Sequence, residues 1–199
     1  MAKYVEEFTA MTLRELMREK PLDQIKVKDV IERGGINRKT FYYHFHGMED
    51  LLKWMVSKVL DTLPASETTI ANWDGQVMAL LQLIVRHQVF LQQVTVSRYA
   101  PAIRTCVYDR LRRYYVSFVS NAIALYDATG DRRLELSAEE FQYIVNYYLY
   151  AVMSVVERWL SNGCGKPCEQ LLGILGKLNN YTIFNVLRAF DQNAQPGAH

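Results

Sequence analysis

Between Gly34 and Phe45 the chain reads GGINRKTFYYHF, and this stretch concentrates groups able to recognise nucleic acid. Arg38 and Lys39 are cationic donors, and such side chains donate to O6 and N7 of guanine in the major groove. Thr40, Tyr42 and Tyr43 carry hydroxyls of the kind that reach phosphate oxygens and fix register without reading sequence. Asn37 and His44 add polar tips at either end. From Lys20 to His46 six lysines and arginines face three acids, a local surplus of three in a chain whose net charge is only +2. So mild a total proves no partner; the local distribution is the informative part.

Other reactive pairings are weaker. His87 and Cys106 form a Cys–His pair only on paper, because no third group is placed to orient the base. The chain has no glycine-rich phosphate loop, no His-Glu-x-x-His and no paired-carboxylate pattern. No catalytic residue, cofactor or metal is therefore expected. Cys164 and Cys168, in CGKPC, could form a disulfide or hold a metal ion beside Lys166, but a zinc site needs about four ligands. Three cysteines without framework spacing fit a reduced compartment. The N-terminal MAKYVEEFTAMTLRELM is acidic and amphipathic, unlike a secretory signal, and no apolar run approaches the ~20 residues that span a bilayer. The expectation is a cytoplasmic protein with no membrane partner.

Helices must position the basic and aromatic groups. Val5, Phe8, Leu13, Leu16 and Met17 recur at helical spacing, and that helix must stop before Pro21. Val27, Val30 and Ile31 begin a short second helix that Gly34-Gly35 can close through a positive φ. Asn37 is a good N-cap for a third helix. With Phe41 and Phe45 inward, four residues apart, Lys39, Tyr43 and His46 fall on the opposite side, Thr40 and Tyr42 flank them, and His44 lies nearer the edge. Two short helices joined by GGIN have helix-turn-helix geometry, in which the second helix enters the major groove. A fourth helix runs from about Gly47 to Leu60. The composition then shifts at DTLPASETTIANWDG, and long helical patterns follow at about 75–95, 101–128, 137–162 and 167–190. The Ser137-x-x-Glu140 pair is similar to a capping box. No hairpin signal appears, so the fold class is all-α, with one domain over 1–60 and a larger one over 61–199.

The stretch KVKDVIERGGINRKTFYYHFHGMEDLL, Lys26 to Leu52, resembles the N-terminal DNA-binding domain of TetR-family transcriptional regulators. The Gly-Gly-hydrophobic-Asn turn and the Thr-Phe-Tyr-x-His-Phe helix carry the resemblance. It covers roughly Phe8 to Leu60, and YYLYAVMSVVERWLSNG is similar to the penultimate helix of many such regulators. The resemblance implies a homodimer whose first three helices bind DNA and whose larger helical domain holds a ligand and the dimer interface. Carried onto this sequence, Asn37, Arg38, Lys39, Thr40, Tyr42, Tyr43 and His44 become recognition-helix contacts, and Lys28 a phosphate or base contact. Two positions depart from the pattern. Lys26 stands where Ser or Thr commonly caps the second helix, and Met48 stands where a lysine often meets phosphate.

FQYIVNYYLYAVMSVVERWL is apolar nearly all round, as a helix buried on two sides must be. Ile144, Val145, Tyr148, Val152, Val155, Val156 and Trp159 form one stripe; Tyr143, Tyr147, Tyr150, Ala151 and Ser154 cover the other side. LLGILGKLNNYTIFNVL is alike, with Gly173 and Gly176 permitting close approach of another helix. The expected dimer interface is Tyr148, Val152, Val155, Trp159, Leu175 and Ile183. Two recognition helices about 34–36 Å apart then read a near-palindromic duplex. The aromatics of the middle helices form either a plain core or a pocket for an apolar or aromatic small molecule, its candidate lining being Phe90, Tyr108, Tyr115, Phe118 and Tyr147. The expected partners are thus an operator duplex, a second copy and an unidentified small-molecule effector. A ligand-responsive repressor is the expected function; an activator of the same family, or a redox sensor using Cys164 and Cys168, is the alternative.

Overall fold

The computed structural model describes residues 2–129 and 133–191. Among these, every regular element is helical: α1 (Ala2–Glu19), a 3-10 turn (Leu22–Gln24), α2 (Val27–Gly34), α3 (Arg38–His44), α4 (Met48–Leu60), α5 (Trp73–Arg86), α6 (Gln88–Thr95), α7 (Ala100–Asp127), α8 (Ala138–Ser161), α9 (Cys168–Asn179) and α10 (Ile183–Phe190). The chain divides into two units, one of Met1–Thr62 with Arg86–Val107 and the other of Leu63–Val85 with Tyr108–His199.

The first unit is built around α1. Its Leu13, Leu16 and Met17 are buried, and it stops two residues before Pro21. A lysine side chain has no lone pair to offer as a cap, so α2 is capped from within: the Asp29 carboxylate accepts the Lys26 N–H at 3.0 Å and the Lys20 ammonium at 2.8 Å. Arg33 ties α2 back to α1, its guanidinium donating twice to Glu19, each bond 2.7 Å. Gly35, at φ 58°, closes α2 while the Ile36 N–H reaches the Ile31 carbonyl at 3.0 Å. That left-handed geometry favours glycine. Asn37 caps α3 by accepting the Lys39 N–H at 2.8 Å. Phe41 and Phe45 are buried with ring centroids 5.8 Å apart, and Phe45 meets Trp54 of α4 edge-on. Burial of rings this size stabilises by roughly 1.5–3 kcal/mol apiece.

The helix expected over 75–95 is interrupted. His87, at φ −112° and ψ 19°, separates α5 from α6, and α6 belongs to the first unit. The reason lies in backbone polar groups that need partners. Gln93 of α6 donates to the Met17 carbonyl and accepts the Leu22 N–H at 3.0 Å, so one amide seals the end of α1 and the start of the 3-10 turn. Arg98 then donates to the Asp23 carboxylate from its backbone, at 3.1 Å, and to the Asp23 carbonyl from its side chain, at 2.8 Å.

In the second unit Phe118 of α7 is the hub. Its ring lies 6.5 Å from Trp73, 6.3 Å from Tyr115 and 6.1 Å from Tyr148. Ser137 and Glu140 form the expected capping box at the start of α8. At its far end Gly163 and Cys164 take left-handed conformations, and the Trp159 indole donates to the Lys166 carbonyl at 2.8 Å. The helix expected over 167–190 also breaks, into α9 and α10. Thr182 donates to the Leu178 carbonyl at 2.8 Å, and its hydroxyl lies 3.1 Å from that of Tyr148, which fixes the break against α8.

Candidate nucleic-acid interface

A helix-turn-helix needs one helix whose inner face is glued down and whose outer face is free, and α3 meets both conditions. Phe41 is fully buried, whereas Tyr43 is 82% exposed and Tyr42 44%. Asn37, Lys39, Thr40 and Tyr43 line one shallow open recess. The Arg38 guanidinium lies 5.6 Å from the centre of the Tyr42 ring, so a cation and a flat hydroxyl-bearing ring are presented together. Among the described residues no carboxylate lies within ion-pair distance of Arg38 or Lys39. Lys20 and Arg33, by contrast, are committed to Asp29 and Glu19. The sequence surplus therefore narrows to the helix that faces outward. Lys28 is exposed, and among the described residues its ion pair is with Glu32, at 3.4 Å within its own helix. Such a pair is worth little and yields readily to a phosphate.

His44 does not join this set. Its ring is only 8% exposed and lies 3.6 Å from the Glu6 carboxylate of α1. One helical turn past Thr40 and Phe41, position 44 rotates under α1, where His44 packs beside Glu6 and leaves little of its ring in solvent. His46, just beyond α3, is 96% exposed, and its Nδ1 and backbone N–H both meet Asp50. Those contacts, the backbone hydrogen bond foremost, hold the Asp50 carboxyl below its ordinary value. Met48, where the family pattern often carries a lysine, is buried in the core.

The second unit contains an apolar cavity of about 40 Å³. Of the five expected pocket residues, Tyr115 and Phe118 line it. Phe90 lies in the first unit, beneath the Arg14 guanidinium. Tyr108 donates to Glu157 at 3.0 Å and packs against Tyr150. Tyr147 is 62% exposed. The cavity is completed by residues that sequence reasoning left in a connector, Leu63 and Thr68, and by Trp73, Gln76, Val77 and Met153. No periodicity marks a loop residue as lining, so only Pro64 and Trp73 in the connector could have raised the suspicion. Burial pushes the Tyr115 phenol well above its ordinary range, and a hydrogen bond with Trp73 offsets part of that shift.

The expected dimer residues also turn inward. Tyr148, Val152, Trp159, Leu175 and Ile183 are buried within the subunit, and Val155 is half-buried. A side chain already closed off within one copy leaves little surface for a second to cover. The face that α8 leaves outside carries Tyr143, Tyr147 and Tyr150, and α9 leaves out Ile174 and Leu178. Gly173 has nothing near its missing Cβ and Gly176 only ordinary contacts, so neither is a point of close approach within the subunit. Cys164 and Cys168 are free and half-buried, and burial raises both thiols above their ordinary value. Reactive thiols need the opposite shift. Among the described residues no cluster of three or more metal-ligating side chains occurs, and no helix is long and apolar enough to cross a membrane.

Comparison with known proteins bears on both units. Residues 12–55 match the family described as bacterial regulatory proteins, tetR family. Residues 71–181, more than half of the chain, match a family described as transcriptional regulator C-terminal region. The HTH-type dhaKLM operon transcriptional activator DhaS of Lactococcus lactis is 28% identical over 46% of this chain and 49% of its own length. The HTH-type transcriptional regulator EthR of Mycobacterium tuberculosis is 26% identical over 61% of this chain and 59% of its own. The chain thus spans about half the length of the curated relatives it matches. A solved structure named dihydroxyacetone kinase operon activator DhaS shares the fold over 96% of this chain and 98% of that one, at 21% identity and a TM-score of 0.53. An all-helical chain with a free recognition helix after a Gly-Gly turn, and matches to both its N-terminal and C-terminal regions, belongs to the TetR family of transcriptional regulators, which bind DNA and are not enzymes.

Proposed function

We propose that this protein is a dimeric, ligand-responsive regulator that holds a near-palindromic operator and releases it when a small apolar molecule enters the second unit. The observation that carries the reading is the outer face of α3, where Lys39 and Arg38 have no carboxylate partner and Tyr43 stands almost fully in solvent. Asn37, Arg38, Lys39, Thr40, Tyr42 and Tyr43 make the recognition contacts, and Lys28 adds a phosphate contact. The second copy packs on the tyrosine face of α8 and the apolar face of α9, because large exposed apolar side chains at helical spacing mark a covered surface. The ligand acts by favouring a dimer spacing that does not fit one DNA turn. Repression follows where the operator overlaps the promoter. A relative and a solved structure are both named as activators, and that favours activation as the second reading.

Selection of bound duplexes from random DNA at two salt concentrations tests the proposal, with a Lys39→Ala, Tyr43→Ala double variant alongside. A near-palindrome recovered by the native chain and lost by the variant is the expected result. Weak, sequence-blind binding by both would overturn it. Transcription from a promoter placed on either side of the recovered site then separates repression from activation.

A further inference from the structure

Resting on the reading of the second unit as the ligand domain, we infer that the ligand is a small uncharged ring compound held by one hydrogen bond to the Thr68 hydroxyl. The argument is an accounting of polar groups around the cavity. The other polar side chains of the lining each have a hydrogen-bond partner. Tyr114 donates to the Pro64 carbonyl at 2.9 Å, and the Tyr115 hydroxyl oxygen accepts from the Trp73 indole. Gln76 donates to the Ser66 hydroxyl at 2.7 Å. Thr68 differs: it is 3% exposed, it lines the cavity, and its hydroxyl has no hydrogen-bond partner. A buried hydroxyl without a partner is costly and rare, and each case calls for an explanation. A ligand that supplies the missing bond explains this one.

The rest of the lining sets the ligand's class. It is Leu63, Trp73, Val77, Leu80, Leu111, Phe118 and Met153 beside the engaged polar groups, with no charged side chain. A charged ligand would lose its hydration there without compensation. Opposite charges appear only in an adjoining outer recess, where Glu67 and Arg113 share a wall with Thr68 and Tyr114. The volume of about 40 Å³ holds a few water-sized groups, so a ring enters by shifting the 63–68 segment. Side-chain bonds tether that segment, from Tyr114 to Pro64, Gln76 to Ser66 and Asn72 to Glu67.

The test compares phenol, toluene and benzoate by calorimetric titration of the full chain, with Thr68→Val and Thr68→Ser variants and operator retention followed separately. Phenol is expected to bind about tenfold more tightly than toluene, and benzoate more weakly than either. Thr68→Val should abolish the preference for phenol while retaining toluene, and Thr68→Ser should keep it. Without ligand, Thr68→Val should melt about 2–4 °C higher, because an unsatisfied hydroxyl is gone. An unchanged phenol preference in Thr68→Val overturns the assignment of Thr68 and leaves the pocket standing. Failure of both phenol and toluene to bind the native chain overturns the pocket itself, while retained operator binding would show that the DNA-binding reading survives.

Discussion

Helices α3 and α8 both hold tyrosines out in solvent, yet different neighbours surround them. On α3, Tyr43 is 82% exposed beside Lys39, Thr40 and Asn37, and Arg38 covers Tyr42. On α8, Tyr143, Tyr147 and Tyr150 are 62%, 62% and 51% exposed beside Ala151 and Ser154, and Tyr143 donates to the Glu139 carboxylate at 3.1 Å. The first set offers ring and cation together, which suits phosphate and base edges. The second offers rings beside small side chains and a carboxylate in place of a cation, which suits another protein surface better than phosphate. An exposed tyrosine says little alone; the charge within a helical turn of it decides what will cover it.

The comparison breaks most sharply if the two faces exchange roles. Tyr147→Asp with Leu178→Asp places four like charges at a two-fold interface, since each change is counted twice, and opposed like charges cost several kcal/mol. The dimer should weaken at least 100-fold, and tight operator binding should vanish with it. Sedimentation at micromolar concentration and a gel-shift titration read the two effects. A persistent dimer would remove α8 and α9 from the interface.

Lys39→Ala should leave the dimer intact and cost about 1–3 kcal/mol in operator affinity, roughly five- to 150-fold, while relaxing selection at one base position. Lys28→Ala should weaken binding evenly across sequences and lower the salt slope by about one unit. Binding measured on the operator and on single-base variants at three salt concentrations separates the two roles.

The N-terminal unit was far more legible in the sequence than the other. Asn37, Gly35 and the Phe41–Phe45 spacing act through local geometry, and each is found where the pattern predicts it. His44 sits at a helix edge, and whether it faces solvent depends on Glu6, 38 positions away in the chain. The α5–α6 break depends likewise on Gln93 finding Met17 and Leu22. In the second unit the apolar pattern runs round α8, so periodicity could not say which side faces inward. Tyr148 is buried because Phe118 and Thr182 meet it, and its neighbour Tyr147 is exposed for want of such contacts at its own angle. Thr68 lies in a connector, where no period exists to read.

His44 and His46 sharpen the comparison inside one segment. His44→Ala removes a nearly buried ring against α1 and should destabilise by about 1–2 kcal/mol, lowering the melting temperature by roughly 2–7 °C. His46→Ala, at a side chain 96% exposed, should move it by less than about 1 °C. Thermal unfolding of both variants checks this. Equal effects would mean that α1 does not cover α3.

The smallest effect belongs to the ionic ties that hold α2 against α1. The Asp29 carboxyl lies below its ordinary value, through its hydrogen bonds with the Lys20 ammonium first and the Lys26 N–H second. A carboxyl with a lowered folded value binds fewer protons folded than unfolded. Its contribution is therefore fully present above the ordinary aspartate range and is lost as pH falls through the lower folded value, below about pH 4. Asp29 is 28% exposed and Lys20 35%, so water screens the pair and the contribution stays small. Asp29→Asn should lower the melting temperature slightly at pH 7, and its difference from the native chain should shrink as pH falls from 5 to 3. Melting curves across that range check the sign. A difference that grows in acid would mean that the unfolded chain, not the folded one, holds Asp29 in its ionised form.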